Sequence, residues 1–76
     1  MNQKKRTMLN DAAEMLASAR ELVEDVRDDE QDCLDNMPEN LEGSERYEKM
    51  ESAIDNLNDA ISCIDDAMEF IDDASE

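Results

Sequence analysis

Between Tyr47 and Ile71 the apolar residues step by three and four in alternation: Tyr47, Met50, Ile54, Leu57, Ile61, Ile64, Met68 and Ile71. A strand, with its period of two, cannot gather these on one face, whereas a helix laid against another helix does so directly. The row therefore demands a partner helix, because on a lone helix it would stay open to water. A second row runs beside it, with Ala53, Ala60, Ala67 and Ala74 at every seventh residue and Cys63 and Phe70 extending the same flank. The combined face is wider than a two-stranded seam needs and suits a helix with two neighbours.

The first half follows the same rule through Leu9, Ala12, Leu16, Ala19, Val23 and Val26, with Met8, Met15 and Leu22 widening the face. The expected stripe then meets Asp29 and Glu30 before Cys33, Leu34 and Met37 restore it. Between the two patterns lies the turn chemistry. Asp35 and Asn36 stop the first helix, and Pro38 excludes Met37 from helical geometry. Gly43 supplies a positive φ, and Ser44 is an N-cap followed by Glu45 and Glu48, which the helix dipole favours.

The expected fold is all-α: one antiparallel helical hairpin over residues 1–76, with helices at about 7–35 and 44–74 and a turn at 36–44, each arm about 45 Å long. Folding about residue 40 sets Lys4, Lys5 and Arg6 opposite Asp72, Asp73 and Glu76. It also brings Glu30 toward Arg46 and Lys49, an ion pair that would fix the register. Cys33 and Cys63 would lie some ~24 Å apart, so no disulfide is expected between them. Two helices with wide apolar faces leave one side uncovered, and a homodimeric four-helix bundle is the simplest closure. Ile54, Ala60, Ile61, Ile64, Ala67, Met68 and Phe70 are the residues expected at that dimer interface.

Composition narrows the chemistry. Histidine is absent, which removes the Glu-x-x-His pairs of carboxylate-bridged metal bundles, and "DDEQDCLDNMPE" lacks the glycine and spacing of a calcium loop. Two cysteines are too few for a disulfide scaffold or a four-ligand zinc site, and neither has a histidine base for nucleophilic catalysis. No enzyme, metal or cofactor is expected. Met8, Met15, Met50 and Met68 are read as bundle filling, as are Tyr47 and Phe70. The "QKKR" at residues 3–6 is not followed by the apolar run of a signal peptide, and no stretch approaches the ~20 apolar residues of a membrane span. The expectation is a cytoplasmic chain with no membrane partner.

The acids are the feature that packing does not explain. The chain carries 23 acidic and 7 basic residues, a formal charge of −16. From Met50 to Glu76 every charged residue is acidic, and Asp28, Asp29, Glu30, Asp32 and Asp35 crowd a helix C-terminus, where the dipole disfavours each by about 0.3–1 kcal/mol. Two such hairpins side by side would spread about −32 over ~45 Å, close to the one charge per ~1.7 Å of duplex DNA. Carboxylates at i, i+3 and i+4 form a rough imitation of a phosphate row. Such a surface repels nucleic acid and attracts proteins that bind it.

The segment Asp28–Leu57, with "DDEQ", "DNMPENL", "GSERYEKM" and "AIDNL", resembles small acidic proteins encoded in phages and prophages of Gram-positive bacteria. The resemblance implies a mobile-element origin, a bacterial host cytoplasm and a helical hairpin, and it carries no active residues across. At the level of class it implies an inhibitor of host defence that imitates nucleic acid. The functional expectation is a non-enzymatic binding protein whose acids occupy the basic, nucleic-acid-binding surface of a CRISPR or restriction protein. Asp28, Asp29, Glu30, Asp32, Asp65, Asp66, Asp72 and Asp73 are the residues expected to contact that partner. The alternative is a structural or adaptor hairpin that engages its partner through apolar faces, with the charge serving solubility.

Overall fold

The computed structural model describes all 76 residues, Met1–Glu76. Helix α1 spans Gln3–Asp35 and helix α2 spans Glu45–Ala74, joined by a single 3-10 turn at Glu39–Leu41. The two helices pack antiparallel into a hairpin with extents of 59 × 15 × 12 Å.

Helix α1 begins four residues earlier than the apolar pattern suggests, because Asn2 caps it. The Asn2 side chain accepts a hydrogen bond from the Lys5 amide at 2.8 Å. The cap draws Lys4, Lys5 and Arg6 into the first turn, where the positive end of the helix dipole disfavours cations. Arg6 is compensated across the hairpin, its Nε donating to the Ser75 carbonyl oxygen at 2.9 Å. That carbonyl is one of the acceptors the end of α2 leaves without a helical partner.

The turn follows the residues that announce it. The Asn36 side chain donates to the Asp32 carbonyl at 2.8 Å and closes α1. Gly43 takes φ +79°, and Ser44 Oγ accepts from the Tyr47 amide at 3.2 Å to open α2 with Glu45 and Glu48 in its first turn.

The core is thin. Met50, Ile54 and Ile61 are the only buried residues, all on α2, while Tyr47, Leu57, Ile64, Met68 and Ile71 are half-buried beside them. The expected α2 row is thus the observed seam. On α1 the seam is Leu9, Ala13, Leu16, Arg20, Val23, Arg27, Glu30 and Leu34, all half-buried. This differs from the expected stripe, because Ala19 and Val26 face solvent and Arg20 and Arg27 stand one residue further on in their place. Arginine tolerates the position because its methylene stem covers apolar surface while the guanidinium reaches out to the rim. The polar interruption of α1 is therefore Arg20, Arg27 and Glu30. Asp29 is exposed.

Candidate interaction surface

The hairpin has two unlike flanks, and the arginines define the first. Arg20 forks onto Asp65 of α2, with Nε to Oδ1 at 2.6 Å and Nη2 to Oδ2 at 3.1 Å, and its Nη1 meets Glu24 one turn further along α1. Seven residues on, Arg27 Nη1 donates to Asn58 Oδ1 at 3.0 Å. Both cross-helix links join residues whose numbers sum to the same value, so they fix one register along the hairpin. The Arg20 guanidinium, chiefly through its hydrogen bonds, holds the Asp65 carboxyl below the usual range, and Asp65 raises Arg20 in return. At the turn end, partial burial pushes the Tyr47 phenol up, aided by Glu51, Glu42 and Asp35.

The opposite flank is apolar on both helices. Met8, Met15, Leu22 and Val26 project from α1 with Ala12, Ala19 and Cys33 between them, and Phe70 projects from α2 along a row of Ala53, Ala60, Cys63, Ala67 and Ala74. Met15, Leu22 and Phe70 are 72%, 68% and 72% exposed, far beyond what a scattered surface residue requires. Both cysteines are free and exposed. By the register set by Arg20 and Asp65, Phe70 stands level with Met15, and Cys63 level with Leu22.

The residues expected to bind a partner do not gather into one patch. Asp28, Asp29, Glu30 and Asp32 lie toward the turn, Asp65 and Asp66 lie about 12–20 Å further along near the middle of the hairpin, and Asp72 and Asp73 lie more than about 20 Å away on the last turn of α2. Asp29, Asp32, Asp66, Asp72 and Asp73 are exposed. Asp65 is tied up by Arg20, and Asp28 pairs with Arg27 at 3.1 Å, so these two first hold the chain's own arginines. Glu30 is half-buried at the seam without either expected partner, because the register set by Arg20 and Asp65 puts it level with Asp55 rather than with Arg46 or Lys49, and Lys49 pairs along its own helix with Glu45 at 3.2 Å. Only four of the 23 acidic side chains, Glu24, Asp28, Glu45 and Asp65, form ion pairs.

Of the residues expected at a dimer interface, Ile54 and Ile61 are buried, and Ile64 and Met68 half-buried, in the row that packs on α1 of the same chain. Ala60, Ala67 and Phe70 belong to the apolar flank. Of the larger apolar groups there, Met8, Met15 and Leu22 were legible in the sequence as a widened face, whereas Val26 was expected in the buried stripe and is exposed; nothing in the sequence said which row would be left outside.

No three side chains of the Cys, Asp and Glu type converge as a metal-binding set, and no helix is long and apolar enough to cross a membrane. A shallow groove of about 340 Å³ lies where the helix ends meet, lined in part by Arg6, Asn10, Asp72 and Ser75, and the Arg6–Ser75 hydrogen bond crosses it. The chain matches no protein-family model, no curated protein and no solved structure.

Proposed function

We propose that the chain is a non-catalytic binding protein whose acidic surface occupies the basic, nucleic-acid-binding surface of a protein partner. The observation that supports this reading is the placement of the charge: a straight rod whose carboxylates are almost all left without counter-ions. A charge of −16 along 59 Å is about one per 3.7 Å, near the one per 3.4 Å of a single nucleic-acid strand. The acids lie along the whole rod, which favours an extended channel as the receptor over a compact pocket. The resemblance to small acidic phage proteins makes a host-defence nuclease or CRISPR effector the first partner class to try.

The test is capture from a bacterial lysate on the immobilised chain, followed by elution with duplex DNA. A captured protein that DNA displaces, and that the variant carrying Asp32→Asn, Asp66→Asn, Asp72→Asn and Asp73→Asn fails to retain, supports the reading. Retention that is indifferent both to DNA and to those four neutralisations sinks it. The exposure of Met15, Leu22 and Phe70 favours a second reading, an adaptor that binds through its apolar flank. In that case Leu22→Glu abolishes capture and the neutralised acids do not.

A further inference from the structure

We infer that the apolar flank is covered by a second copy of this chain, with α1 of each copy lying on α2 of the other to close a four-helix bundle. The inference does not rest on the proposed function.

Three observations carry it. The first is angular. On the two helices the apolar flank is centred about 90–110° around the axis from the seam that faces the other arm, at 100° per residue. A helix in a square bundle contacts two neighbours at nearly a right angle, so each arm presents one face already used and one face free in the direction a bundle needs. Because the Arg20–Asp65 and Arg27–Asn58 links mark the same polar side of both arms, the two free faces lie together on the other side.

The second is area. The outline of the hairpin's side is 59 by 15 Å, roughly 900 Å² in projection, which leaves room for the roughly 800 Å² of accessible surface per partner that stable interfaces bury. Within one chain only three residues are buried, so the hairpin alone leaves most of its apolar surface in water.

The third is relief. The α1 half of the flank is bulky, with Met8, Met15, Leu22 and Val26, and the α2 half is shallow, alanine and cysteine broken only by Phe70. A two-fold axis along the length of the hairpin places the bulky half of each copy over the shallow half of the other, with Leu22 level with Cys63 of the second copy. The perpendicular two-fold would set bulk on bulk and leave the alanine rows facing each other across a gap. Either two-fold leaves every neighbouring pair of helices antiparallel, so relief and not the helix dipoles chooses between them.

Charge opposes the assembly and gives it a signature. Asp11, Asp25 and Asp32 edge the α1 half of the flank, and Asp59, Asp66 and Asp73 edge the α2 half, so each copy brings like charge to the contact. Screening therefore strengthens the dimer, whereas it would weaken binding of a basic partner to the same face. The dimer also has about one charge per 1.8 Å, the density of duplex DNA. That last consequence alone leans on the function proposed above.

Sedimentation of the intact chain at low and high NaCl, beside Leu22→Glu and Phe70→Glu, tests the assignment. The expected result is a dimer of twice 8.7 kDa whose dissociation constant falls at least several-fold with added salt, and monomeric variants. A chain that stays monomeric at every salt concentration overturns it, as does a dimer that survives both substitutions. Should the variants lose their helical circular dichroism, cross-linking decides instead. In a Cys33→Ser background treated with a thiol oxidant such as diamide, which takes up the two electrons and two protons, Leu22→Cys is expected to form a disulfide with Cys63 of the second copy, giving a covalent dimer on a non-reducing gel that Cys63→Ser abolishes. Failure of that bridge in a chain that sediments as a dimer overturns the docking of α1 on α2.

Discussion

Arg20 of α1 and Asp65 of α2 form the one bidentate ion pair that ties the two arms together, and the pair lies near the middle of the hairpin rather than at an end. It sets the register and decides which apolar row of α1 turns inward. Its side chains are one-third and one-half exposed, so its value lies in specifying alignment more than in strength.

Asp65→Asn is expected to lower Tm at neutral pH by a few degrees, and Arg20→Met to be non-additive with it in a double-mutant cycle. The pH dependence has a definite sign. The carboxyl of Asp65 is depressed in the folded chain, so its contribution is present above the ordinary aspartate range and is lost as pH falls through the depressed value. The Tm gap between wild type and Asp65→Asn should therefore persist at neutral pH and close in the range below the ordinary aspartate value of about 4. A gap that is constant over that window would show that the pair contributes nothing.

Ile54→Ala and Ile61→Ala each remove a buried side chain from a core of three. The cost expected is on the order of 2–5 kcal/mol, enough to unfold a chain of this size, against about 0.5 kcal/mol for exposed Leu41→Ala in the turn. Thermal denaturation followed at 222 nm, at a concentration where wild type is still folded, measures the difference.

Gly43→Ala tests the turn. A β-carbon there meets nothing within 4 Å, so any loss comes from the backbone, which holds φ +79°. A destabilisation of about 1 kcal/mol is expected, with Gly43→Asn costing less because asparagine tolerates the left-handed region. Equal stability of Gly43→Ala would mean that the turn relaxes to another conformation.

Added salt should raise Tm. Acids outnumber bases 23 to 7, and the spacing of neighbouring carboxylates along each helix, about 5–6 Å, falls inside the Debye length at low salt and beyond it near 1 M. Screening costs the Arg20–Asp65 attraction far less than it relieves this repulsion. Melting curves from low salt to about 1 M NaCl check it, and a flat response would mean that repulsion between the acids does not limit stability.

The α2 row of Tyr47, Met50, Ile54, Leu57, Ile61, Ile64, Met68 and Ile71 is a single unambiguous stripe, and with the Pro38, Gly43 and Ser44 turn it determines a two-helix antiparallel hairpin by itself. Local physics suffices there: a period of 3.5 residues, a φ that only certain residues adopt, a hydroxyl that caps. The acidic balance is likewise a property of composition. On α1 the same reasoning stops short, because Leu9, Leu16 and Val23 belong equally well to a stripe with Ala19 and Val26 or to one with Arg20 and Arg27. Hydrophobicity prefers the first. The fold takes the second, since turning α1 by one residue lets Arg20 and Arg27 reach Asp65 and Asn58, groups more than thirty residues away in the chain. That choice leaves Met8, Met15, Leu22 and Val26 outside with Phe70, while Ile54 and Ile61 go inside. A helix's own sequence lists its apolar rows; which row is buried depends on the charges of the helix it meets, and only the tertiary structure brings those together.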